Sequence, residues 1–266
     1  VAIRPAQKRI AQGLQRKANL IHMKKIKDLI QWLAHRFGYH VQSKNGISGD
    51  MSLFLKSLKT RGLTLRTILD VGAHKGDWSV LAARILPEAT YYLIEPQEEL
   101  KPEIDKFLAR HKGRVFFGGA GAEDGELTLT MWEDFAGSSF LPQAGQGGGR
   151  MQKKVPIYSI DGLIARGEMP VPDICKIDVQ GFEIEVLKGA AGIFGKTEVF
   201  ILEASLFKFS PDQPLLHDLI AYMTQRGYVI YDFAGFTNRP LDMALGQLDI
   251  CFVKEDSILR KSHGWA

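Results

Sequence analysis

The chain has no apolar run approaching the roughly 18 residues needed to span a bilayer. No signal-peptide pattern opens it, although it begins at Val1 rather than Met and so leaves room for residues upstream. Cysteine is scarce. Cys175 and Cys251 both sit in apolar strand-like runs without metal-ligand spacing, which excludes a disulfide framework and favours buried free thiols in a reducing cytoplasm. Neither G-x-G-x-x-G nor G-x-x-x-x-G-K-[ST] occurs, so a dinucleotide fingerprint and a phosphate-cradling loop are set aside. What is present, 266 residues with 45% hydrophobic and 24% charged, suits one large α/β domain with an appendage.

Acids are also missing from one end. Asp28 and Asp50 are the only ones in the first 61 residues, against a long series of Lys and Arg, so the remainder of a chain with net charge +4 is acidic. Within this basic arm Ile26, Leu29, Ile30, Leu33 and Phe37 recur at helical spacing, giving a basic amphipathic helix. Docking on the main domain, pairing into a homodimer, an anionic membrane surface and nucleic acid are all open to it, the first two favoured. Turn signals at Asn45-Gly46 and Ser48-Gly49 divide the chain into a helical extension, 1–45, and a main domain, 46–266.

That domain is organised around TILDVGAHKGDWS, Thr67 to Ser79. Ile68, Leu69 and Val71 read as a strand buried on both faces, and Gly72 and Gly76 let the backbone turn sharply and approach a ligand without a Cβ in the way. A loop between a strand's carboxyl end and a helix amino terminus is where doubly wound proteins hold nucleotide-like ligands. A helix from Asp77 follows, then a strand, Thr90 to Ile94, ending in Glu95-Pro96. Glu95 is placed to accept from the ribose hydroxyls of an adenosine ligand, or to cap the helical stretch Glu98 to Arg110, or both.

Further along, a third strand at Val115 to Gly118 runs into Gly119, Ala120 and Gly121, read equally as an adenine contact or a hairpin turn into the strand Glu126 to Trp132. Phe135 to Arg150 is a long glycine-rich loop that could close over substrate. A strand at Lys153 to Tyr158 and a helix opened by Ser159 follow. Ile174 to Ile177 reads as the central fourth strand, with Lys176 and Asp178 on one face. Then come a helix Glu183 to Leu187, a fifth strand Thr197 to Leu202 ending in Glu203, a helix Leu215 to Arg226, and strands Tyr228 to Phe233 and Asp249 to Val253. The expected fold is α/β: a Rossmann-like, seven-stranded, mostly parallel, doubly wound sheet with an N-terminal helical extension.

Asp70, Gly72 and Gly76 form the D-x-G-x-x-x-G pattern that resembles motif I of class I S-adenosylmethionine-dependent methyltransferases. With LIEPQ, AGSSF, VPIYSIDGLI, ICKIDVQGFEIEVLKGA and VFILEAS in this order, the chain from Thr67 to Phe233 resembles the FkbM family of methyltransferases. The resemblance implies S-adenosylmethionine as cofactor, bound by Asp70, Gly72, His74, Gly76, Glu95 and Ala120. It also implies methyl transfer to a hydroxyl of a sugar, glycan or natural-product small molecule. His74 stands where many members have Asn, and Gln180 where many have Glu. The Asn/Asp-Pro-Pro-aromatic turn common where base nitrogens are methylated is absent after the fourth strand, where Asp178-Val179-Gln180-Gly181 stands instead. A hydroxyl nucleophile needs a base, so Asp178 and Glu203 are the catalytic candidates; Lys176 joins them as a catalytic group or a counter-ion. A divalent metal between the two acids is open but not favoured, and no metal ligand is assigned. The alternatives are an RNA methyltransferase using the basic arm, with nucleic acid the disfavoured partner, and a catalytically silent binding module. Phe207, Phe209, Trp132 and Phe140 are open to stacking on a sugar or to core packing.

Overall fold

The computed structural model describes residues 29, 30, 32, 33, 36, 49–131, 138–141 and 151–264. The chain divides into two compact units, Val1–Ile47 and Ser48–Ala266. In the first, Leu29, Ile30, Trp32, Leu33 and Arg36 are helical. The rest of the expected basic arm, Ile26 and Phe37 included, lies outside the described residues. So do Trp132 and all of the glycine-rich loop except residues 138–141.

The second unit opens with helix α1 (Met51–Thr60), whose Asp50 cap accepts from the Leu53 N–H at 2.9 Å. A repeating strand and helix pattern follows: β1 (Thr67–Val71), α2 (Asp77–Ala83), β2 (Thr90–Glu95), α3 (Lys101–Leu108) and β3 (Gly113–Phe117). After β4 (Gly119–Ala120), β5 (Gly125–Met131) and β6 (Met151–Tyr158) come α4 (Ile160–Ala165), β7 (Ile174–Ile177) and α5 (Glu183–Lys188). The chain ends with β8 (Val199–Ser205), α6 (Leu216–Thr224), β9 (Tyr228–Asn238) and β10 (Leu245–Lys254). Seven strands form one sheet in the order β3-β2-β1-β7-β8-β10-β9. The first five run parallel; β10 is antiparallel to both β8 and β9. This is the expected mostly parallel doubly wound sheet, with β7 fourth and central.

Burial explains the order. β7 is buried along its whole length and β1 at every position after Thr67, as strands covered by helices on both faces must be. The period of two then splits each strand between two cores. Leu69, Val71, Cys175 and Ile177 join one, while Ile68, Ile174, Ile201 and Cys251 join the other. Both cysteines are buried and free. Among the described residues no helix is long and apolar enough to cross a membrane.

Two features differ from expectation. β4, β6 and β5 form a separate three-stranded sheet with its own small core of Leu129, Met131, Val155 and Ile157. A two-residue strand such as β4 carries no periodicity to read. Secondly, Glu203 lies inside β8 rather than at its end, because β10 extends the pairing to Ser205 and sets Asp249 opposite Glu203.

Candidate active site

The carboxyl ends of β1, β2 and β7 meet around a cavity of about 230 Å³. Its floor is backbone. Gly72 has φ 74°, and a Cβ there would lie 1.8 Å from the Asp178 carbonyl oxygen, so the β1 and β7 loops approach closer than any side chain permits. Gly76, at φ 81°, opens α2. Gly72, His74 and Ala120 line the cavity with Val71, Ile94 and Phe140. Ala120 does so from β4, so the segment read as adenine contact or turn is both a cavity wall and a strand paired to β6.

Asp70, Gly76 and Glu95 are not among the lining residues; they hold the wall from behind. Glu95 is 2% exposed. Its Oε2 accepts the His74 N–H at 2.7 Å, and its Oε1 accepts the Gln97 N–H at 3.0 Å and Gln97 Nε2 at 3.2 Å. The carboxylate thus ties the glycine loop to the end of β2. Burial pushes its pKa up and these N–H groups oppose the rise. His74 takes a left-handed φ of 49°. Burial lowers its pKa and keeps the ring neutral; its Nε2 is buried without a partner among the described residues.

Behind the loop runs a buried ionic row. The parallel register sets Asp70 beside Lys176. Lys176 Nζ lies 3.3 Å from Asp70 Oδ1, 3.2 Å from Asp178 Oδ2 and 3.4 Å from the Gly72 carbonyl oxygen. Asp70 Oδ2 also accepts from the Ser79 hydroxyl at 2.7 Å. Burial lowers the Lys176 pKa, but Asp178 and Asp70 outweigh it and the net shift is upward, so the ammonium stays charged. For Asp70 burial raises the pKa and Lys176 opposes it.

Asp178 reaches the cavity wall; Lys176 and Glu203 are not among the lining residues. Between the acids stands Gln180, at φ 53°, whose Nε2 donates to Asp178 Oδ1 at 3.1 Å and to Glu203 Oε2 at 2.8 Å. Gln247 Nε2 donates to the same Glu203 oxygen at 2.8 Å. Burial raises the Glu203 pKa well above the usual carboxyl range, reinforced by Asp178, Glu183 and Asp249. The turn carrying Gln180 is held by Glu183, 3% exposed, whose Oε1 accepts the Gly181 N–H at 3.0 Å and the Val179 N–H at 3.3 Å. Burial pushes Glu183 up to about 7. Among the described residues no cluster of three or more His, Cys, Asp or Glu is arranged to hold a metal ion.

Residues 70–230 match the family model described as the methyltransferase FkbM domain, which is more than half of the chain. The chain belongs to this FkbM family. Among solved structures, the methyltransferase FkbM from Methylobacillus flagellatus KT aligns at 19% identity and TM-score 0.47, covering 74% of this chain and 47% of its own. The chain spans about half the length of that relative. Magnesium protoporphyrin IX methyltransferase from Synechocystis PCC 6803, solved with bound S-adenosylmethionine, aligns at 13% identity and TM-score 0.45, over 76% of each chain. No curated protein sequence matches. The FkbM segment contains every cavity-lining residue together with Asp70, Glu95, Lys176, Asp178 and Glu203. Gln247, on β10, lies beyond it. Sequence reasoning missed Gln247 and the support given by Glu183. The signal for the first was a polar pair, Gln247 and Asp249, two apart in a strand that is otherwise free of polar side chains before Lys254.

Proposed function

We propose that this chain is an S-adenosylmethionine-dependent O-methyltransferase acting on a hydroxyl of a sugar, glycan or natural-product small molecule. The observation that carries the reading is the position of Asp178, a carboxylate on the wall of the family's cavity, wired through Gln180 to a second carboxylate behind it.

The residues fit the cofactor. Val71, Ile94, Ala120 and Phe140 give apolar surface for an adenine ring, while the Gly72 turn and the unpartnered His74 Nε2 are suited to the polar end of the molecule. When bound, S-adenosylmethionine supplies an electrophilic methyl group on a sulfonium sulfur, and positioning contributes much of the acceleration of such a displacement.

The chain's part is to position the acceptor and take its proton. Asp178 would take the proton that the acceptor hydroxyl loses on methylation. Lys176 pairs with Asp178 Oδ2, and Gln180 fixes the direction of Oδ1. Glu203 acts through Gln180. In this reading Lys176 and Glu203 are positioning groups and Asp178 is the base.

Asp178→Asn is the test, with methyl transfer to a panel of hydroxylated sugars and natural-product alcohols as readout. The expected loss is about 10²- to 10⁴-fold in turnover with the melting temperature little changed. Full retained activity would remove Asp178 from the chemistry.

A further inference from the structure

A second cavity, of about 330 Å³, lies next to the first and shares Gln180 with it. Much of its wall comes from the β9–β10 hairpin, including Thr237, Asn238, Arg239 and Gln247, all beyond the segment that matches the family. The formal charge in this wall is the Arg239 guanidinium. It is bidentate on Asp242 and stacks at 3.9 Å over the Phe207 ring, so it is neutralised in place. Phe209, 44% exposed, adds an apolar face.

The amides decide what the cavity recognises. Gln180 and Gln247 both turn Nε2 onto Glu203 Oε2. A carboxylate oxygen without a proton only accepts, so both nitrogens are committed to it and both amide carbonyl oxygens face away. Neither carbonyl oxygen has a protein donor among the described residues. A proton held by Glu203 would sit on Oε1, and the two amides would keep their orientation. These two amides therefore offer acceptors to a ligand. A hydroxyl satisfies them, whereas a phosphate or carboxylate would set lone pairs against lone pairs.

We propose that this second cavity is the methyl-acceptor site, selecting a neutral ligand that presents neighbouring hydroxyl donors to Gln180 and Gln247, with Glu203 as the positioning residue that sets both amides. The proposal rests on the methyltransferase reading for the fate of the ligand, and on the cavity alone for its binding.

The experiment is ligand-observed saturation-transfer NMR on the full chain with saturating S-adenosylhomocysteine, using a cis vicinal cyclohexanediol and cyclohexyl phosphate as probes. The diol should show transfer and the phosphate none. Gln247→Leu should weaken the diol by roughly two- to twelvefold, the worth of one hydrogen bond. Thr237→Phe, at an exposed position paired with Gln247 across the hairpin, fills the cavity and should abolish the diol signal. Calorimetric affinity for S-adenosylhomocysteine should stay within about twofold in both. Glu203→Gln, whose amide can donate as well as accept, should let a flanking amide turn and narrow the preference for diol over phosphate. A merely structural Glu203 would leave that preference unmoved. No transfer to the diol in the wild type, equal transfer to the phosphate, or a diol signal indifferent to Thr237→Phe would overturn the proposal. Failure of S-adenosylhomocysteine to bind would instead count against the methyltransferase reading, because the probes report on the second cavity without it.

Discussion

The two cavities are built by different means. The first is made by parallel strands whose turns bring backbone against backbone, backed by a buried ionic row; the second is made by an antiparallel hairpin that brings side-chain amides to a carboxylate. Gly72 cannot be exchanged without moving the chain, Gly76 holds a left-handed φ, and Asp70 cannot lose Lys176 without being left buried and uncompensated. The amides and the Arg239 pair occupy a hairpin that can vary while the sheet behind it stands. A cofactor common to a family suits the first kind of wall, and an acceptor that differs between members suits the second.

Substitution of Lys176 should show the largest difference. Lys176→Met leaves Asp70 buried without its cation and should cost about 3–5 kcal/mol, read as a lowered urea midpoint with an unchanged slope. A loss below about 1 kcal/mol would erase the contrast between the walls.

Glu183, beneath the shared turn, tests the boundary. Its folded-state pKa of about 7 lies above the ordinary carboxyl value of 4.5, so between these values the folded chain holds a proton that the unfolded chain has released. Its contribution to stability is therefore complete below about pH 4.5, declines as pH rises to about 7, and is lost above, a change of up to about 3 kcal/mol. Glu183→Gln keeps an acceptor for the Val179 and Gly181 N–H groups and removes the titration. Its thermal stability should exceed the wild type above pH 7, with the gap closing on acidification; parallel profiles would show that Glu183 does not titrate in this range.

The smallest effect belongs to the hairpin. Arg239→Ala breaks an ion pair at the surface rather than in the core, and the melting temperature should not resolve the change. A large drop would mean the second wall is as rigidly committed as the first.

The same division governs what could be read from the sequence. The β1 turn was legible because backbone constraints leave local marks, with Asp70, Gly72 and Gly76 within seven residues. Asp178 was legible by its place after the central strand. Ile174 to Ile177 was legible as the central fourth strand, where β7 stands. Gln247 stood out as a polar residue in β10, but its partner was not legible, since it meets Glu203 across 44 residues and an antiparallel register that no local pattern encodes. The use of Glu95 was half legible. Its position at the end of β2 is as expected, but the folded chain spends its oxygens on the N–H groups of His74 and Gln97, which a sequence cannot reveal.

In the proposed methyltransferase the first cavity binds S-adenosylmethionine through a loop that Glu95 holds in shape. Calorimetric titration of S-adenosylhomocysteine into the wild type and Glu95→Ala tests it most directly. Tight binding to the wild type is expected, with weaker binding to the variant, whose glycine loop is no longer tied to the end of β2 by the His74 and Gln97 N–H groups. No binding to the wild type, or equal binding to both, would contradict it.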